Sequence, residues 1–170
     1  MNFQAMLINA VNYYRQYEQH NQLHPLPETR FKNAVVALDV SFAELAAQIG
    51  WFMAKADRKA VTKDELLVQY TRVLRGCLLV ANLRNWNRNI LVDDQQLAKL
   101  GRQLTQTDFS KLYLATKNML NAAYFKHSET DFNHAWKLLL KLGLADLHFS
   151  QKEIATEFDH QCGVESIDHQ

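Results

Sequence analysis

Few side chains in this 170-residue chain have the types and spacing that chemistry needs. His127, Asp131 and His134 lie close together, and Asp131 and His134, three apart, would share one side of a helix. An imidazole beside a carboxylate is the start of a metal site, but tetrahedral zinc takes four ligands. The cluster reads better as the solvated beginning of a helix, where the macrodipole favours an aspartate. Cys77 lies on an apolar helical track and reads as an inert core thiol rather than a nucleophile. Arg84 and Arg88, at i and i+4 in the Asn- and Trp-containing stretch 82–89, could clamp an anion. Cations are also favoured at a helix C-terminus with no ligand present, and that reading is preferred. No G-x-x-x-x-G-K-[ST], G-x-G-x-x-G or H-E-x-x-H pattern occurs.

The elements that must position these groups are helices. The chain holds 5 Gly and 2 Pro, where average usage would supply about 20 of the two together. Turn-dense folds need both residues to set φ at each reversal, so a sandwich, a barrel or a doubly wound sheet would be hard to build from this supply, and collagen-like and Pro/Gly-rich disordered classes are excluded. One all-α domain spanning residues 1–170, with a polar tail over about 163–170, is expected as a bundle of five to six helices. The first runs from Phe3 to His20. The second, over about Glu28 to Lys55, carries Phe31, Val35, Leu38, Phe42, Leu45, Ile49 and Phe52 at alternating spacings of four and three, one buried stripe. Thr62 and Glu65 form a capping box that opens the third. Its apolar residues fall on two tracks, predicting a central helix contacted from two sides. Asp93 and Asp94 cap a short helix ending near Gly101, and further helices cover about 108–126 and 129–142, with Gly143 as an αL C-cap. Ser150 and Glu153 open the last.

The net charge of +1 argues against a nucleic-acid partner. Two distant cysteines and no recognisable leader point to a cytoplasmic location. No apolar run reaches the roughly 20 residues of a membrane span, so no membrane partner is expected.

Two segments carry a resemblance. Val40-Ser41-Phe42-Ala43-Glu44-Leu45-Ala46 and Leu67-Val68-Gln69-Tyr70-Thr71-Arg72-Val73-Leu74 resemble the two metal-binding helices of the dimeric all-α dUTPase family. That family belongs to the all-α nucleoside triphosphate pyrophosphohydrolases, together with the MazG-type enzymes. Trp51-Phe52-Met53 falls where the family has an aromatic run. Leu138 to Leu144 and Ser150 to Ile154 resemble its late helices. The resemblance implies a helical bundle of the NTP pyrophosphatase type, a homodimer, and a site for a deoxyuridine or other nucleotide. In the family, E-x-x-E on one helix and E-x-x-D on the next form an oxygen cage for Mg²⁺, which bridges the triphosphate and prepares the attacking water.

Position by position, the first glutamate falls on Ser41, the second on Glu44, the third on Gln69 and the aspartate on Arg72. Glu44 is the one motif carboxylate retained, and hence the one catalytic or metal-binding candidate. The family's phosphate-holding lysine, asparagine and arginine have no counterpart in His160-Gln161-Cys162-Gly163-Val164-Glu165. The paired change at Gln69 and Arg72 predicts that Arg72 pairs with Glu44, its fork supplying part of the charge of the missing metal. The expectation is a dUTPase-like homologue that is catalytically degenerate and retains a nucleotide-binding or scaffold role, with no cofactor. The alternatives are an active dUTP or NTP diphosphatase that uses Mg²⁺ at a non-standard site, or a helical interaction module. For the diphosphatase the nearby carboxylates are Asp39, Glu44, Asp57, Asp64 and Glu65, of which Asp39 and Glu44, five apart, point in different directions.

Overall fold

A computed structural model describes residues 1–103 and 108–164. The polar tail from Glu165 to Gln170 therefore lies outside the described residues. The described residues are all-α, with no strand, and hold seven α-helices where five to six are expected, because the short helix after Asp93 and the last one are both full elements. They form α1 (Phe3–His20), α2 (Pro27–Ile49), α3 (Lys63–Leu83), α4 (Asp94–Gly101), α5 (Phe109–Phe125), α6 (Glu129–Lys141) and α7 (Gln151–Gln161). Short 3-10 turns occupy Lys55–Asp57 and Asn87–Ile90, and a π-helical turn occupies Leu142–Asp146.

α3 is the axis of the fold. Residues on both its apolar tracks are buried, including Leu67, Tyr70, Val73, Leu74, Cys77, Leu78 and Ala81, because α1, α2 and α7 all pack against it. α2 and α3 run antiparallel and close together at Gly76, where a Cβ would stand 3.2 Å from Leu38 Cδ1. α5 and α6 pair beside them. Trp136 of α6 is fully buried, donates its Nε1–H to Ile90 O at 3.3 Å, and meets Phe3 edge-on at 5.4 Å. Hydrophobic residues of all seven helices join one core cluster.

Two expected boundaries move, each at a glycine. α2 ends at Ile49 rather than near Lys55, because Gly50 adopts φ +66° and its N–H closes the helix on Ala46 O. Trp51, Phe52 and Met53 consequently lie in a turn. Gly143 is not an αL cap. It is buried within the π-helical turn, where its lack of a side chain admits the Tyr70 ring.

Both capping boxes form. The Glu65 N–H donates to Thr62 Oγ1 at 3.2 Å and the Thr62 N–H to Glu65 Oε2 at 2.8 Å. At α7 the Glu153 N–H donates to Ser150 Oγ and the Ser150 N–H returns to Glu153 Oε2. The Lys63 ammonium donates to Glu153, tying the start of α7 to the start of α3. Lys63, then the Ser150 N–H, hold the Glu153 carboxyl down to about 2, against an ordinary 4.5. A depressed folded-state value stabilises fully above the unfolded value and is lost as pH falls through the folded one. Acid titration followed at Ile154 and Phe158 by NMR is expected to loosen α7 between about pH 4.5 and 2. Glu153→Gln should remove that portion of the pH dependence; identical profiles for variant and wild type would refute the assignment.

Candidate functional site

The four positions singled out on α2 and α3 come together at one end of the antiparallel seam. Gln69 is buried and faces α2. Its Nε2 donates to the Ser41 carbonyl at 2.8 Å and to Glu44 Oε2 at 3.1 Å. Its Oε1 accepts from Arg72 Nη1 at 3.4 Å. Ser41 is half-buried, while Glu44 and Arg72 are exposed.

The expected Arg72–Glu44 ion pair does not form: among the described residues no Arg72 nitrogen lies within 4 Å of the Glu44 carboxylate. Gln69 stands between them. A buried amide must find partners for both its ends, so Gln69 takes the Glu44 oxygen with its NH₂ and leaves its own oxygen to Arg72. The arrangement is a relay of carboxylate, amide and guanidinium. An exposed charge pair would gain little here, because solvent screens it.

This cluster does not fit Mg²⁺. An octahedral ion wants several oxygen ligands directed at one point. Here the amide hydrogens occupy the space between the Ser41 carbonyl and Glu44, the Gln69 oxygen turns away, and Arg72 adds a cation. Among the described residues no group of three or more His, Cys, Asp and Glu side chains could hold a metal.

The other acids disperse. Asp39 pairs with Lys117 of α5, whereas Glu44 faces α3. Asp57 is exposed in the 3-10 turn after α2. Asp64 and Glu65 lie in the first turn of α3, where Glu65 serves the cap. His127 is exposed at φ +52° in the turn before α6. Asp131 lies in the first turn of α6, its N–H donating to Ser128 Oγ, and His134 is exposed. Arg84 stacks its guanidinium 3.7 Å above the Phe31 ring. The chain then reverses at Asn85, φ +60°, so Arg88 no longer lies on the same helix face. Cys77 is fully buried, and burial pushes its thiol far above the ordinary value.

The structure adds an anchor that sequence reasoning missed. Gln161 Nε2 reaches Thr71 Oγ1 at 2.6 Å and Val68 O at 2.9 Å. Arg75 lies 4.0 Å over the Tyr13 ring and donates weakly to Gln161. These contacts seat α7 on α3. Thr71, a polar residue among the buried positions of α3, was the available signal. His160 and Gln161 end α7 and Cys162 caps it, so this stretch is used in packing; Glu165 lies outside the described residues.

Comparison with protein families, with curated proteins and with solved structures finds no match to this chain. What stands is an all-α fold whose seam carries a carboxylate–amide–guanidinium relay, with no helix long and apolar enough to cross a membrane among the described residues.

Proposed function

We propose that this chain is a dUTPase-like helical protein that no longer hydrolyses nucleotides and acts instead as a metal-independent nucleotide-binding or scaffold protein, working as a homodimer. The observation that carries this reading is the Gln69 amide lodged between Ser41 and Glu44, at the positions where the resembled family places metal-binding carboxylates. Hydrolysis of that kind needs a divalent ion to prepare water and neutralise the leaving pyrophosphate. A neutral amide and an exposed arginine can orient or attract an anion but cannot generate the nucleophile. Support for the dimer comes from the outer face of α2, the turn that follows it and the neighbouring start of α5. Val36, Val40, Phe52 and Leu114 are 61%, 49%, 60% and 65% exposed there, an apolar surface of the kind that marks interaction sites.

The test is pyrophosphate release from dUTP with Mg²⁺. The expected result is no turnover above the protein-free control, and no change in Glu44→Ala. Turnover that Glu44→Ala abolishes would overturn the proposal in favour of an active diphosphatase. Light scattering is expected to give twice the 19.7 kDa chain mass, and Val40→Glu should shift the species to monomer.

A further inference from the structure

A concavity opens further along the same seam, between α1, α2 and α3. It encloses about 530 Å³, within the roughly 300–1,000 Å³ of small-molecule sites. Its walls are Val11 and Tyr14 of α1, Ala34 and Ala37 of α2, and Leu79 and Leu83 of α3. The two alanines keep the α2 wall shallow. The antiparallel register that sets Leu38 against Gly76 and Arg84 over Phe31 places Asn33 opposite Asn82, and both line the cleft.

The polar groups divide into two kinds. Glu18 and Arg30 satisfy each other through a two-pronged pair of 2.7 and 3.0 Å, which ties α1 to α2 across the rim. The side chains of Arg15 and Asn33, both exposed, and of half-buried Asn82 line the same cleft; none has a hydrogen-bond or ion-pair partner among the described residues, so solvent holds their polar groups until a ligand displaces it. Two free amides each offer a donor and an acceptor. One free guanidinium, beside an already neutralised pair, leaves the cleft with a single uncompensated positive charge. Tyr14 adds an aromatic wall that stays neutral, since burial raises its phenol above the ordinary value.

We propose that this cleft is a binding site for a small planar ring that carries a lactam edge and one anionic group. The Asn33 and Asn82 amides pair with the lactam, Tyr14 and the aliphatic wall take the ring, and Arg15 takes the anion. The site stands apart from the Gln69 relay and does not depend on the reading given above for that relay.

Three probes separate the parts: a pyridone carboxylate has ring, lactam and anion; pyridone lacks the anion; benzoate lacks the lactam. Each is titrated into the full chain while backbone amide shifts are followed by NMR. The pyridone carboxylate is expected to shift the signals around Asn33, Leu79 and Asn82, and to bind about tenfold more tightly than either of the others, as one good hydrogen bond or charge contact allows. Asn82→Leu and Arg15→Gln should each weaken it about tenfold. Ala37→Phe, a change at an exposed position of the wall, should fill the cleft and abolish binding with the spectrum otherwise intact. The proposal fails if no saturable shift appears at these residues, if binding survives Ala37→Phe, or if benzoate binds as well as the pyridone carboxylate.

Discussion

Gly143→Ala is expected to destabilise the protein by about 3 kcal/mol or more. An ideal Cβ at this position would stand 2.2 Å from Tyr70 Cζ, 2.3 Å from its hydroxyl oxygen and 2.7 Å from Cε1. The obstacle is no flexible chain end. Tyr70 is fully buried, lies against Phe149 at 5.6 Å between ring centres, and donates its hydroxyl to Leu139 O at 3.0 Å. Making room by more than an ångström costs about 1–3 kcal/mol of overpacking. It also strips a buried hydroxyl of its acceptor, for about 1–3 kcal/mol more. Urea denaturation measures the loss, and the melting temperature should fall by roughly 6–12 °C for a domain of this size. The pair should be strongly non-additive: in a Tyr70→Leu background the added alanine should cost far less, since the obstructing ring is gone. A Gly143→Ala protein within about 0.5 kcal/mol of wild type, an ordinary surface effect, would disprove the account.

The second large effect is expected from rebuilding a carboxylate set on the seam. Ser41→Glu, Gln69→Glu and Arg72→Asp together with the native Glu44 place two acids three apart on each of two facing helices. Without a divalent ion this triple variant should be destabilised by about 3 kcal/mol, because buried position 69 then holds a carboxylate against other carboxylates and the Ser41 carbonyl. Mg²⁺ should reverse the loss. A ligand bound by the folded state alone contributes about 2.7 kcal/mol at a hundredfold excess over its dissociation constant. Thermal melts with and without millimolar MgCl₂ read this directly: the wild type should be indifferent to Mg²⁺, and the triple variant should climb back towards it. A triple variant that Mg²⁺ does not stabilise would show that the seam geometry cannot hold the ion, and would remove the main support for a link to metal-dependent ancestors. Gln69→Leu serves as a control, giving up the relay without adding charge.

Much of the architecture was legible in the residues. The 31–35–38–42–45–49 stripe, the two capping boxes and the doubly apolar third helix each record a local or one-face preference, and each appears in the fold. The α3 tracks even forecast its neighbours, because a helix apolar on two sides has to be covered on both. The helix ends were less legible. The apolar period of α2 runs on through Phe52, yet Gly50 stops the helix at Ile49, since a residue free to adopt positive φ can close the C-terminus whatever the pattern beyond it. Gly143 showed the opposite error: a glycine after a helix suggested a left-handed cap, and its purpose turned out to be space for a ring from Tyr70, over seventy positions away in sequence.

The site divides in the same way. The resemblance placed Ser41, Glu44, Gln69 and Arg72 on two helices, and these do meet across the seam. Which of them bond could not be read from their types. Opposite charges suggested Arg72 to Glu44, but burial decided otherwise: the amide at position 69 lies inside the seam and must be satisfied, while the arginine one turn on reaches solvent. By itself the sequence determined that this chain is helical, where most helices begin, and which faces they bury, because these follow from capping chemistry and the 3.6-residue period. Only the tertiary structure decided the Gln69 relay, the Tyr70–Gly143 contact and the Asn33–Asn82 cleft. Each of these joins residues from separate elements, and their distances are set by how helices pack rather than by anything encoded within one turn.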